Sequence, residues 1–144
     1  MKIISYQNYV QIPLSQLIHT IELTISQKDI DKFTECSQDI NWIHNLSDFN
    51  PTPIVHGNLI LSKCSKMITF ENVSKTIHCG YDFVKFISPM YSNDTLVVSY
   101  YHKGITEIDD NIYSTAIECI ASNKLTTKIV CKFVYRLYHY SLIS

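Results

Sequence analysis

Glycine is scarce in this chain, with three among 144 residues, and there are four prolines and a single tryptophan. So few glycines leave no room for the glycine-rich loops whose backbone cradles phosphates. Net charge is nearly absent: twelve basic against thirteen acidic residues give −1. A nucleic-acid surface would need a basic patch, and Lys63 and Lys66 do not make one. No apolar run approaches the roughly 20 residues that span a bilayer. The start, Met1-Lys-Ile-Ile-Ser-Tyr-Gln-Asn8, lacks the apolar core of a secretion signal, so a cytoplasmic location is the expectation. The five cysteines are odd in number and form no C-x-x-C pair; they read as reduced thiols, mostly buried. His19, His78, His102 and His139 show no metal-ligand spacing with one another or with the cysteines, which argues against zinc. No repeat or low-complexity segment is present.

What the chain does have is apolar content. With 46% hydrophobic and 17% charged residues, residues 1–144 suffice for one globular domain with a real core. The first residues, through about Gln16, lack a clean period, are interrupted by Pro13 and read as an extended lead-in. From Ile18 to Ile25, apolar Ile21, Leu23 and Ile25 alternate with Glu22 and Thr24, the period of a half-buried strand. Ser26 followed by Asp29 approximates a capping box, and Ile30 and Phe33 continue at helical spacing, so a short amphipathic helix runs from Gln27 to about Ser37. Asn45 to Pro53 reads as loop. From Ile54 to about Phe70 an almost wholly apolar start predicts a long buried helix that surfaces near Lys63 and Lys66.

After Asn72 the period changes to that of strands, near Val73–Phe86, Thr95–Thr106, Asn111–Ser122 and Leu125–His139. Turn residues separate them at Ser88-Pro89, Ser92-Asn93-Asp94, Asp109-Asp110-Asn111 and Ser122-Asn123. Their order predicts consecutive antiparallel strands and an α+β layout, a curved antiparallel sheet wrapped around a long central helix. The tyrosine-rich Tyr135–Tyr140 fits a strand better than a base-stacking platform.

The chemistry concentrates in Asp39-Ile-Asn-Trp-Ile-His44 and Pro53-Ile-Val-His-Gly57. Asp39 and His44 are five residues apart, a spacing that regular structure would hold on different faces but that an irregular loop could bring together. Imidazoles titrate near neutral pH and can both give and take a proton. A glycine in the first turn of a buried helix exposes backbone N–H groups at the positive end of the dipole, a plausible oxyanion site. Asn41 suits a turn brace and His56 a local hydrogen bond. Leu61 and Ser65 lie one and two turns beyond Gly57 on one helix face and are candidate pocket positions.

These two stretches resemble the hydratase motif of the MaoC-like hot-dog proteins, the (R)-specific enoyl-thioester hydratases and 3-hydroxyacyl-thioester dehydratases. Ser26–Phe33 resembles that family's approach helix, and Phe86–Leu96 its segment after the central helix. The chain departs from the family pattern at Gln38, where glycine is usual, at Trp42, where proline is usual, and in a shortened loop from His44 to His56. The resemblance implies a hot-dog fold and a hydro-lyase in which Asp39 and His44 hold one water, while the Gly57 N–H polarises a thioester carbonyl. It implies trans-2-enoyl or 3-hydroxyacyl substrates on coenzyme A or on the phosphopantetheine of an acyl-carrier protein. It further implies no metal or redox cofactor, no nucleic-acid or membrane partner, and a homodimer. The shortened loop leads us to expect altered acyl selectivity, with Trp42 in the pocket wall. Two other readings are an acyl-thioesterase and a non-catalytic hot-dog subunit that binds an acyl chain or a partner.

Overall fold

The computed structural model describes residues 2–65 and 68–142. In chain order it contains β1 (Lys2–Ser5), α1 (Tyr6–Tyr9), β2 (Leu17–Thr24), α2 (Gln27–Ser37), α3 (Gly57–Cys64), β3 (Ile68–Glu71), β4 (Val73–Phe86), β5 (Thr95–Asp109), β6 (Ile112–Asn123) and β7 (Ile129–Leu142). The strand before Ser26, the helix after it and the first three strands of the second half stand where the residue periods put them, while the last runs over Ile129–Leu142 rather than Leu125–His139. Ser26 and Asp29 form the full capping box: the Ser26 side chain accepts from the Asp29 N–H, and the Asp29 carboxylate accepts from the Ser26 N–H.

Three further expectations are corrected. The extended lead-in is instead a strand followed by a single helical turn, started by Ser5, whose hydroxyl accepts from the Asn8 N–H at 3.2 Å. Tyr6 and Tyr9, three residues apart and therefore on one helix face, are both buried; one turn is too short for a period to show in sequence. The long helix expected over Ile54–Phe70 spans only Gly57–Cys64. At its start, the extended backbone of Ile54 bridges Tyr91, and the Val55 N–H donates to the Met90 carbonyl at 2.8 Å. At its end, Ile68–Glu71 alternates buried and exposed and pairs in parallel with β1. Lys66 and Met67, which the expected helix included, lie outside the described residues. Finally, β4 is not the neighbour of β5.

The main sheet has five antiparallel strands in the order β2-β5-β6-β7-β4. Only β5, β6 and β7 follow one another as hairpins. Their turns use Asn111 with positive φ and the Asn123 side chain, which accepts from the N–H groups of Leu125 and Thr126. Leu125 is therefore a turn-tip residue and β7 begins at Ile129. The free edge of β5 is taken by β2, with Thr24 and Thr95 hydroxyls 2.8 Å apart, which leaves β4 to close the sheet beside β7.

On this sheet lies α3, whose Leu59, Ile60 and Cys64 join Val98 and Tyr100 of β5, Cys119 of β6 and Phe133 of β7 in one core. The Tyr100 hydroxyl donates to the Cys64 carbonyl at 2.7 Å inside that core, satisfying one of the acceptors every helix C-terminus leaves open. Cys64, Cys119 and Cys131 are buried, Cys36 and Cys79 exposed, and all five are free thiols. Among the described residues no helix is long and apolar enough to cross a membrane.

His139 is fully buried on β7 between Phe70 and Tyr6, with Nδ1 3.1 Å from the Thr76 hydroxyl. Burial lowers its pKa to about 4. Below the ordinary imidazole range the unfolded chain binds a proton that the folded chain refuses. The stabilising contribution is therefore complete above about pH 6.5 and is lost as pH falls towards 4, a difference on the order of 3 kcal/mol. Urea titrations across that interval should show this slope, and His139→Gln should flatten it.

Candidate active site

The catalytic-type residues sit on a loop whose path is set by short-range polar contacts. Helix α2 stops at Gln38, which takes the left-handed conformation with φ 60°, a position that glycine adopts freely and that costs other residues about 1 kcal/mol or more. The Ser37 hydroxyl accepts from the Asp39 N–H at 3.2 Å, and the Asn41 side chain accepts from the Ile43 N–H at 3.3 Å to start a 3-10 turn over Trp42–His44. Asn41 thus braces the turn as its residue type suggests. A second brace was not read from sequence: the Asn50 amide donates to the carbonyls of Trp42, Ile43 and Asn45 at 3.2, 3.0 and 2.9 Å. Its only signal was an Asn-Pro dipeptide within the loop. The Ile54 N–H then donates to the Ile43 carbonyl at 2.9 Å, bringing the two motif stretches side by side.

This arrangement turns His44 inward to a nearly buried position. Its Nδ1 lies 2.6 Å from the Ile54 carbonyl oxygen. A carbonyl only accepts, so Nδ1 carries the hydrogen and all proton exchange falls to Nε2. That Nε2 faces Asp39 Oδ2 at 3.7 Å. In the neutral imidazole, a lone pair therefore confronts a carboxylate, two acceptors at a separation that a shared hydroxyl or proton would bridge. Asp39 remains half exposed beside its buried partner.

His56 adds a third group. It is 2% exposed, its ring stacks on that of His44 with centroids 3.6 Å apart and planes 20° from parallel, and Phe33 covers it from one side. Its Nε2–H donates to the Asp39 backbone carbonyl at 3.3 Å. Burial holds its pKa below the ordinary value, with the neighbouring His44 adding to the effect and Asp39 opposing it. His56 thus secures the loop that carries Asp39.

Asp39, His44 and His56 are close enough together to form a candidate ligand set, with one donor atom from each within 4.8 Å of the others. The stacked rings put their in-plane lone pairs in nearly parallel planes, and His56 Nε2 already carries a hydrogen toward a carbonyl.

Gly57 opens α3 next to this cluster, and His56 gives the first turn no side-chain cap. The first N–H groups of a helix have no acceptor within it. A cleft of about 370 Å³ brings Gly57 and His44 together with Ile43, Ile60, Phe86 and Met90. Phe86, which the sequence reading did not select, lies so close to Gly57 that a Cβ there would come within 2.9 Å of its ring. The remaining candidates are not part of the cleft lining. Trp42 is 67% exposed on the outer side of the 3-10 turn. Leu61 packs against the core. Ser65 lies past the far end of α3, its hydroxyl bonded to the Leu61 carbonyl and to the Tyr81 hydroxyl.

Residues 10–124 match the family model described as MaoC like domain. A comparison with curated protein sequences gives no match. Among solved structures, the chain is similar to the monoamine oxidase regulatory protein from Archaeoglobus fulgius, at TM-score 0.76 and 18% identity, covering 98% of this chain and 97% of that one. It is also similar to the R-hydratase PhaJ1 from Pseudomonas aeruginosa, at TM-score 0.66 and 19% identity over 92% of this chain and 85% of that one. The (R)-hydratase from A. caviae involved in PHA biosynthesis aligns at TM-score 0.66 and 15% identity, over 88% and 96%. The shared architecture is the hot-dog fold, an antiparallel sheet packed on one buried helix.

Contact between Gly57 and Phe86 can be tested directly. The approach is to the far end of the half-exposed Phe86 ring, so Gly57→Ala should cost no more than about 1–2 kcal/mol in denaturant unfolding while displacing the ring. In a Phe86→Ala background the same substitution should cost nearly nothing, and a double-mutant cycle reads the coupling.

Proposed function

Because the chain belongs to the MaoC-like domain family, we propose that it interconverts trans-2-enoyl and 3-hydroxyacyl thioesters by adding or removing water. The observation that carries this reading is His44 Nε2 and Asp39 Oδ2 facing each other at 3.7 Å beside a cleft that begins at a helix N-terminus. In hydration, Asp39 takes a proton from the water as its oxygen bonds to the β-carbon. His44, which enters this direction as the imidazolium with a hydrogen on each ring nitrogen, delivers the Nε2 proton to the α-carbon on the same face of the substrate. The proton left on Asp39 then returns across the gap to His44, which restores the starting state; dehydration is the reverse. Nδ1–H stays on the Ile54 carbonyl throughout, where it also supports the imidazolium.

Charge that develops on the thioester carbonyl oxygen is met by the N–H of Gly57, at the positive end of α3. A reaction of this kind needs only proton transfers and hydrogen-bond donors, consistent with a substrate carried on coenzyme A or a carrier-protein phosphopantetheine and with no metal or redox cofactor. His56 acts as a positioning residue through the Asp39 carbonyl.

A homodimer is part of this reading. β4 is a 14-residue edge strand, and Ile77 and Phe83, on the face away from the cleft, are each at least a third exposed. An exposed apolar edge invites pairing with another chain, and a two-fold partner covers it without leaving a new edge. Light scattering at micromolar concentration should give twice the chain mass; an active strict monomer would refute the dimer.

The enzymatic reading predicts that Asp39→Asn and His44→Asn each lower turnover by about 10²- to 10⁴-fold. The double variant should be little worse than either single, since both residues serve one step. Loss of the enoyl-thioester absorbance band measures this for parent and variants, with thioester hydrolysis scored separately and thermal melts run on all four. Full activity in a folded Asp39→Asn protein would remove the pair from the mechanism.

A further inference from the structure

A second and larger space, about 700 Å³, lies beyond the far end of α3, lined by Ser65, Ile68, Phe70, Thr76, His78 and Leu137 among others. The catalytic cleft lies at the Gly57 end, about 12 Å away along the helix. What stands between them follows from the register of β4. On β7, Cys131, Phe133, Tyr135, Leu137 and His139 are all buried on the core face. Their partners on β4 are Phe86, Val84, Tyr81, His78 and Thr76, and directly paired residues of antiparallel strands share a face. Strict alternation from Phe86 would instead bring Asp82 and Gly80 to that face and turn Tyr81 away.

Two register shifts, between His78 and Gly80 and between Tyr81 and Phe83, make the difference. Bulges of this kind re-aim side chains. Asp82, the additional residue of the second shift, accepts from Arg136 Nε and Nη2 at 2.8 and 2.9 Å, and the Cys79 thiol donates to the Arg136 carbonyl at 3.3 Å. Both extra residues are thus tied down on β7. Re-aimed, the Tyr81 hydroxyl meets Ser65 Oγ at 2.9 Å, and its ring packs edge-on against Phe133. Because the Ser65 hydroxyl donates to the Leu61 carbonyl, Tyr81 is the donor in this bond. Along the seam between α3 and β4 the order is Phe86 against Gly57, then Tyr81 against Ser65, then the larger space bordered by His78 and Thr76.

We propose that Tyr81, bolted to Ser65, is a specificity-determining residue that closes the seam between the catalytic cleft and the larger space, so that the site accepts short acyl chains and excludes long ones. This rests on the hydratase reading, and the site it describes is that of the acyl group beyond the β-carbon. Tyr81 lines neither space but stands between Phe86 of the cleft and His78 of the larger space; on this proposal, loss of its ring opens a path by which a long chain meets Ile68, Phe70 and Leu137.

The test uses the full chain as parent, Tyr81→Ala and Tyr81→Phe, with coenzyme A thioesters of trans-butenoyl, hexenoyl, octenoyl and decenoyl chains. Saturated butanoyl- and decanoyl-coenzyme A serve as calorimetric binding probes. The parent should prefer butenoyl. Tyr81→Ala should raise the decenoyl-to-butenoyl ratio of kcat/KM by roughly tenfold or more, the scale on which pocket contacts discriminate chain length, and tighten decanoyl-coenzyme A relative to butanoyl by a similar factor. Tyr81→Phe, which keeps the ring and loses the bolt, should shift both ratios the same way by less, and it decides the matter if Tyr81→Ala does not fold. A parent that handles decenoyl as well as butenoyl overturns the proposal, as do ratios unmoved in folded variants. Failure of the hydratase reading looks different, with no thioester turned over by the parent. In that case the binding ratio still decides: selective tightening of decanoyl-coenzyme A in Tyr81→Ala supports the closure, and none overturns it.

Discussion

The hydrogen bond from His44 Nδ1 to the Ile54 carbonyl, 2.6 Å long, is the contact on which the candidate site depends. It fixes the ring orientation and the tautomer, and so decides that Nε2 faces Asp39. The bond exists only because Ile54 is not helical. Within a helix its carbonyl would be directed along the axis to the N–H four residues on, rather than to His44. The apolar run beginning at Ile54 would support a helix from its first residue, yet the chain spends Ile54 and Val55 on bridging to Tyr91 and Met90. The late start of α3 therefore shapes the candidate site: it frees a carbonyl for the imidazole and puts Gly57, rather than a bulkier residue, at the positive end of the helix.

Features governed by local chemistry were legible in the sequence. Ser26 and Asp29 announced the start of α2, alternation from Ile21 to Ile25 announced β2, and Asp-Asn and Ser-Asn turns separated the last three strands. Asp39, His44 and Gly57 were legible as a set because two short motifs carry them, and the loop does bring them together. The limits of α3 were not legible, since Ile, Val and Phe suit a buried helix and a buried strand equally, and periodicity cannot choose between them in short runs. Strand order was hidden for another reason. Which edge β4 joins depends on β2 having already occupied β5, a long-range competition with no local trace. Asn50 and Phe86 act through contacts with distant backbone and with a glycine, so nothing in their immediate neighbours marks them.

The departures from the family pattern acquire physical meaning once the loop is seen. Gln38 occupies a left-handed position at the end of α2, the conformation for which glycine is the least strained choice. The chain keeps the geometry and accepts the strain, with the Gln38 side chain donating to the Glu35 carbonyl at 2.7 Å as partial compensation. Trp42 begins a 3-10 turn, where proline's fixed φ would also serve. The turn holds without it because Asn41 caps it from one side and Asn50 gathers its carbonyls from the other. The polar braces hold the loop without glycine at 38 or proline at 42, so neither departure by itself dismantles the Asp39–His44 geometry.

Cost and function meet in the stacked histidine pair. Two imidazoles 3.6 Å apart in a nearly dry setting disfavour being charged together, and burial holds His56 below its ordinary pKa. A core built for stability alone would replace His56 with an apolar ring, since Phe33 already packs against it and its Nδ1 has no hydrogen-bond partner among the described residues. An orphaned buried nitrogen costs on the order of 1–3 kcal/mol. The compensation available on the other side of the ring is the bond from Nε2 to the Asp39 carbonyl, which ties the carboxylate's own peptide unit to the helix start at Gly57. A phenyl ring could fill the space but not make that tie. The half-exposed Asp39 would then keep the Ser37 contact at its N–H and the Asn41 N–H at its carboxylate, while its carbonyl lost the tie to the helix start, next to a strained Gln38. What the stack secures is the distance between Asp39 and His44, the quantity on which a shared water or hydroxyl depends.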